Sequence, residues 1–129
     1  TYGGNPICCA AASATLALIE NGYMQNAAAM GEYLMQRLRE MQQRFPQLIG
    51  DVRGKGLMIG VELVADAQSR APAREFADHL LYSAWRRGLL LLTCGQSTLR
   101  LMPPLMIDRA TCDEALALLE AAIEDTLGA

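Results

Sequence analysis

Two pairs of short apolar runs, each folding back over a glycine-bearing turn, constrain this chain more than any other feature. Residues 49–53 and 57–64 flank Gly54-Lys55-Gly56, and residues 89–92 and 98–102 flank Cys94-Gly95-Gln96-Ser97. Short runs rich in Val, Ile and Leu, separated by a few residues that include glycine, read as β-hairpins. In the second run Leu57, Ile59, Val61 and Leu63 share one face, and Met58, Gly60, Glu62 and Val64 share the other, because side chains alternate along a strand. Pro103-Pro104 stops the fourth run, since proline has no N–H to give a ladder.

Four helical segments accompany the hairpins. Asn5-Pro6 opens the first: asparagine can cap a helix, and proline suits its first position because the missing N–H is not needed there. This segment runs to about residue 20 and is apolar nearly all round, the pattern of a helix covered on most sides. Asn21-Gly22 breaks it. A second helix, residues 23–44, sets Ala27, Met30, Leu34, Leu38, Met41 and Phe45 at spacings of three and four. Its opposite face carries Asn26, Glu32, Arg37, Arg39, Glu40 and Gln43, and Pro46 ends it. The methionines here read as core filling rather than ligands. After a polar loop at residues 65–71, a third helix over residues 72–87 carries Phe76, Leu80 and Ala84 on one stripe and closes at Gly88. The last begins near Asp108 or Thr111, where Thr111 and Glu114 can form a capping box, and ends near Leu127.

The order helix, helix, hairpin, helix, hairpin, helix predicts an α+β two-layer sandwich. Its small, mainly antiparallel sheet carries packed helices and is preceded by two linking helices. Residues 1–45 are expected to be connecting helices, and residues 46–129 the small α+β domain. A length of 129 residues leaves no room for a second full domain.

Composition removes several classes of function. Apolar residues at 52% exclude a disordered chain. Lys plus Arg total 11 against 14 Asp plus Glu, without a basic run, which argues against a nucleic-acid surface. The longest weakly polar stretch, residues 6–19, is shorter than the ~20 apolar residues of a bilayer span, and no basic segment precedes it. Neither membrane binding nor a signal peptide is expected. The chain starts at Thr1, within a motif, and is expected to be a fragment of a longer protein. Cys8, Cys9, Cys94 and Cys112 form no CxxC pair and no metal spacing with the sole histidine, His79. They are expected to be buried free thiols in a reducing, cytoplasmic compartment, with no metal site. His79 lies mid-helix without a sequence partner and is expected to be structural or on the surface, which argues against a Ser-His-Asp or zinc hydrolase.

Three segments can carry chemistry. In Thr1-Tyr2-Gly3-Gly4-Asn5-Pro6, two glycines allow close backbone approach and the following helix presents its N-terminus, features that suit a phosphate. From these residues alone, a plain glycine-rich turn before a capped helix is the favoured alternative. Arg100, inside an apolar strand, projects opposite Leu99 and Leu101 and needs a carboxylate, because an unpaired buried charge is costly. Its guanidinium can grip a substrate carboxylate by two hydrogen bonds, or it can pair internally with Glu62 or Asp51. Gly54-Lys55-Gly56 is weak as a phosphate loop, since neither a helix nor a Ser/Thr follows Lys55. It reads as a tight turn, with Asp51 and Arg53 making local contacts.

TYGGNP with its Ala-rich helix, then DVRGKGLMIGVEL, then GLLLLTCG and STLRLMPPLMI, resembles in order the C-terminal part of class III aminotransferases. These are fold-type I enzymes that use pyridoxal 5′-phosphate, and LLLLTCG is most similar to the 4-aminobutyrate branch. The resemblance implies that Thr1 binds the cofactor phosphate in the neighbouring subunit of a homodimer. It also implies that Arg100 grips the carboxylate of small amino-acid and oxo-acid substrates. Tyr2, Gly3, Gly4 and Asn5 would set the shape of the motif. The implied reaction moves an amino group from an ω-amino acid to 2-oxoglutarate. Acetylornithine or ornithine aminotransferases and amino-acid racemases of the same class are the alternatives.

Pyridoxal phosphate chemistry needs a lysine amine. Lys55 is the sole lysine, and it does not match the family's catalytic one, which lies upstream of TYGGNP in a large N-terminal domain. No catalytic residue is therefore expected in this chain, which alone should neither hold the cofactor covalently nor transaminate. A reading of another class is a stand-alone small-molecule-binding regulatory module with Arg100 as its anchor. The apolar first helix argues against it, because a self-contained module has little use for one.

Overall fold

Pairing of the two hairpins builds one four-stranded antiparallel sheet in the computed structural model, which describes residues 1–128. Strands β1 (Ile49–Lys55) and β2 (Met58–Leu63) form the first hairpin, and β3 (Leu92–Cys94) and β4 (Thr98–Leu101) the second. The spatial order is β1-β2-β4-β3, with helix α3 (Arg74–Arg86) crossing between the hairpins. Before them come α1 (Pro6–Leu18), one wide turn (Ile19–Tyr23) and α2 (Met24–Arg44), and α4 (Arg109–Leu127) closes the fold. The architecture is the expected α+β one.

Turn chemistry moves two of the expected boundaries. Gly54 and Lys55 belong to β1, opposite Ile59 and Met58, so the turn is only Gly56-Leu57. A two-residue hairpin loop needs a left-handed first residue, and Gly56 supplies it with φ +54°. The third strand is not residues 89–92 but Leu92–Cys94, paired with Arg100, Leu99 and Thr98. Because the prolines end β4 at Leu101, residues 89 and 90 have no ladder to join.

One face of the sheet is the core. Val52, Val61 and Leu99 lie in register across three strands, with Ile59 beside Leu101, and helices cover this face. Leu34, Leu38 and Met41 of α2 join Ala77, Leu80 and Ala84 of α3 and Cys112, Leu116, Leu119, Ala122 and Ile123 of α4 in the same cluster. The α2 stripe is the one its spacing predicts. Its residues thus complete the core of the segment that follows residue 45.

Several side chains differ from expectation. Asn26, placed by spacing on the solvent face, donates its amide to the carbonyls of Leu105 (2.7 Å) and Ile107 (3.0 Å), tying down the chain beyond the prolines. Val64 is buried rather than sharing a face with Met58, because the chain leaves the sheet after Leu63 and bridges to Pro72. The α4 cap is Asp108, whose carboxylate accepts from the Thr111 N–H at 2.8 Å. Thr111 therefore lies inside the first turn and forms no capping box with Glu114.

No residue of α1 is buried, so the all-round apolar pattern remains without cover in this chain. Asn21 and Gly22 leave helical geometry as expected, yet the helical run continues into α2. The joined run from Pro6 to Arg44 contains an 18-residue window long and apolar enough, by length and composition alone, to cross a membrane. The shorter stretch ending at residue 19 did not reach that length.

Candidate functional site

The other face of the sheet is open, and its side chains fall in rows set by the register. Arg53, Gly60, Arg100 and Leu92 form one row across β1, β2, β4 and β3. Asp51, Glu62, Thr98 and Cys94 form the next, and Lys55 and Met58 continue the pattern at the hairpin end. Three cations and two carboxylates thus share this surface. Arg53 takes both carboxylates, its Nη1 lying 2.9 Å from Asp51 and 2.7 Å from Glu62. The hydrogen bonds to Asp51 and then Glu62 hold its guanidinium above the usual arginine range.

This arrangement decides between the two readings of Arg100 as far as internal pairing goes. Glu62 and Asp51, the carboxylates proposed for it, belong to Arg53, and Arg100 forms no ion pair among the described residues. Nor is Arg100 buried as a strand interior implied; it is exposed on the open face, where water rather than a carboxylate satisfies it. It borders a cavity of about 520 Å³ between residues 89–92, the end of β4 and the start of α4. Leu90, Leu92, Met102 and Ile107 help line this groove, and Arg100 is its one charged residue among those described. An apolar groove with a single free guanidinium can hold a carboxylate at one end and an aliphatic chain along the rest.

Gly60 and Leu92, the cross-strand neighbours of Arg100, were not singled out by sequence. Alternation does put Gly60 on the face of Glu62, but Leu92 became visible only with the true start of β3. Lys55 stands at the strand end rather than in a turn, exposed on the same face.

Around Thr1 the helix start differs from a ready anion site. The Asn5 side chain accepts from the N–H groups of Ile7 (3.0 Å) and Cys8 (3.2 Å), and Pro6 has none to offer. The first turn is therefore already satisfied. The donors that remain are the exposed Thr1 hydroxyl and the glycine backbone. Gly4 has φ +78°, and no atom would lie within 4 Å of a Cβ on Gly3 or Gly4. Phosphate can approach this backbone closely, so the segment fits such a group through Thr1 and the glycines rather than through the helix end.

The remaining candidates resolve quickly. Cys8, Cys9 and Cys94 are exposed, against the expectation of buried thiols, because α1 lies uncovered and Cys94 faces out at the end of β3; only Cys112 is buried. His79 sits exposed on α3. No cluster of metal-ligating side chains occurs among the described residues.

The profile of the class III aminotransferases (Aminotransferase class-III) matches residues 1–123. The chain belongs to that family. This class III chain is 42% identical to an alanine/serine racemase of Pyrococcus horikoshii over 98% of its own length, and 44% identical to an isoleucine 2-epimerase of Lentilactobacillus buchneri over 95%. It spans only 27% of either relative. Among solved structures it superposes on a Bacillus anthracis aminotransferase with TM-score 0.89 and 33% identity, covering 97% of this chain and 29% of that one. The class III family is pyridoxal phosphate-dependent.

Proposed function

We propose that this chain is the C-terminal part of a pyridoxal phosphate-dependent enzyme that inverts the α-carbon of an aliphatic amino acid. The observation that carries this reading is Arg100: a guanidinium without an ion-pair partner among the described residues, bordering a groove whose other lining is mainly leucine, methionine, proline and isoleucine. Such a groove accepts a carboxylate and an alkyl side chain together. The similarity to a racemase and an epimerase, named for alanine, serine and isoleucine, favours inversion over amino transfer.

In this reading Arg100 fixes the substrate carboxylate through two parallel hydrogen bonds, which sets the orientation of the α-carbon. The leucines exclude water from its alkyl chain. The Thr1 hydroxyl and the backbone of Gly3 and Gly4 hold the cofactor phosphate of a neighbouring subunit. When bound, the cofactor supplies the electron sink that makes an α-proton removable. The lysine that moves the proton belongs to the preceding large domain, not to Lys55, and the enzyme is a cytoplasmic homodimer. Cover from that domain and the partner subunit accounts for a 13-residue α1 without a buried side chain. A self-contained regulatory module has no such use for it.

Amino transfer from an ω-amino acid to 2-oxoglutarate is the second reading, favoured by the LLLLTCG segment and by the structural match to an aminotransferase. The test is the full-length enzyme carrying this segment, incubated with L-isoleucine, L-leucine or L-alanine and followed by chiral chromatography. Appearance of the epimerised or D-amino acid without an oxo acid supports inversion. Glutamate formed from 2-oxoglutarate and 4-aminobutyrate, with no inverted product, overturns it.

A further inference from the structure

Glu62 occupies a position from which it can reach either of two arginines. It pairs across the sheet with Asp51 on β1 and Thr98 on β4, while Gly60, two residues away on the same face, pairs with Arg53 and Arg100. Glu62 is therefore the diagonal neighbour of Arg53 on one side and of Arg100 on the other. Diagonal partners in an antiparallel sheet lie about 7–8 Å apart at Cα, within reach of long side chains. No side chain at Gly60 stands between them. The register alone leaves the choice of partner open, yet Glu62 accepts from Arg53 at 2.7 Å and leaves Arg100 free.

The difference is made by Asp51. It accepts from the Arg53 Nη1 at 2.9 Å on the β1 side, so the nitrogen that serves Glu62 is held by a second carboxylate as well. A guanidinium shared by two carboxylates gains more than either single pair provides. Arg100 has no equivalent of Asp51, since its neighbours across β3 are Leu92 and Cys94. Every charged group on this face enters the balance: Asp51 and Glu62 against Arg53, Lys55 and Arg100.

We propose that Arg53 is a positioning residue that, by holding Asp51 and Glu62, keeps Arg100 unpaired for an incoming carboxylate. The inference rests on the reading of Arg100 as the substrate anchor and adds to it a residue of β1 that touches no substrate. Without Arg53, Glu62 turns to Arg100 and competes with the ligand.

Two measurements test this. In the 129-residue chain, the side-chain Nε–H signal of Arg100 is followed by 15N NMR in Arg53→Met and in Arg53→Met/Glu62→Gln. The expected result is a shifted, more slowly exchanging Arg100 signal in the single variant and a return to the wild-type position in the double variant. In the full-length enzyme, Arg53→Met should raise KM for the amino acid about fivefold at low salt, the scale of an exposed ion pair, with kcat little changed. Glu62→Gln added to it should restore KM, and salt should shrink the effect by screening the competing pair. An Arg100 signal indifferent to Arg53→Met, or a raised KM that Glu62→Gln does not reverse, overturns the proposal. Should Arg53→Met not fold, Arg53→Gln is read the same way, because it too removes the charge that holds both carboxylates while keeping a polar side chain at this exposed position. If Arg100→Met leaves KM unchanged, the anchor reading falls, while the NMR comparison still decides the role of Arg53.

Discussion

Gly31 of α2 rests directly on Gly56 at the β1–β2 turn: a Cβ on Gly31 would stand 2.3 Å from the Gly56 carbonyl carbon. The contact is backbone against helix, and it sets how closely α2 approaches the first hairpin. Elsewhere in a helix, alanine is better than glycine by about 1 kcal/mol. Here the neighbour is backbone and cannot swing aside, so α2 must shift, and overpacking of this kind costs about 1–3 kcal/mol. Gly31→Ala is expected to lower stability by about 2 kcal/mol in urea unfolding. A variant as stable as wild type would mean that α2 can slide along the sheet without loss.

Much of this packing was legible beforehand. The stripe Leu34, Leu38, Met41 and the alternation Leu57, Ile59, Val61, Leu63 are the core residues that helix and strand periods pick out. Those periods describe elements buried on one side, which is why they work. What they miss depends on a partner distant in sequence. Asn26 looks like any polar residue on a solvent face until the chain beyond Pro104 returns to it. The competition for Glu62 is similar, because sequence names Arg53, Glu62 and Arg100 but not which arginine holds the carboxylate. The start of β3 was hidden by Leu89 to Leu92, where an unbroken apolar run carries no register.

Asn26 provides the next expectation. Its amide is the side-chain donor for two carbonyls, those of Leu105 and Ile107, in a segment without helix or strand. Removing the donor leaves a part-buried acceptor unsatisfied, a loss of about 1–3 kcal/mol. Asn26→Ala should reduce stability by about 1–2 kcal/mol. It should also speed amide exchange at Ile107, whose N–H bonds to the Pro104 carbonyl in the same turn. Faster exchange spread evenly over the sheet, with none localised there, would contradict the assigned role.

Cysteine reactivity separates one thiol from the other three. Cys112 is fully buried in the core of α4, and burial, with Asp113 and Asp108 nearby, holds its thiol above the usual range. Thiolate is the reactive form, so Cys112 is both shielded and protonated. Cys8, Cys9 and Cys94 are exposed. A maleimide added to the native 129-residue chain is expected to label these three, with the fourth label appearing only after denaturation. Native labelling at Cys112, read by peptide mass spectrometry, would show that α4 opens from the sheet.

Two aspartates make stability depend on acid. Asp108 caps α4 by accepting from the Thr111 N–H, and Asp66 accepts from the Ser69 N–H at 2.7 Å in the loop before α3. These backbone hydrogen bonds favour the charged form and hold both carboxyls below the usual aspartate value. A depressed folded-state pKa means that the unfolded chain binds the proton first. Their contribution is therefore complete above the unfolded aspartate value of about 3.9 and is lost as pH falls through the lower folded values. Asparagine offers the same side-chain oxygen without a charge to titrate. Asp66→Asn/Asp108→Asn should keep both turns while flattening the acid side of the stability curve, measured as midpoint denaturant concentration between pH 6 and pH 2. If the double variant loses stability on acidification as steeply as wild type, other carboxylates govern that limb; the half-exposed Arg53, Asp51 and Glu62 group on the open face is the first to examine.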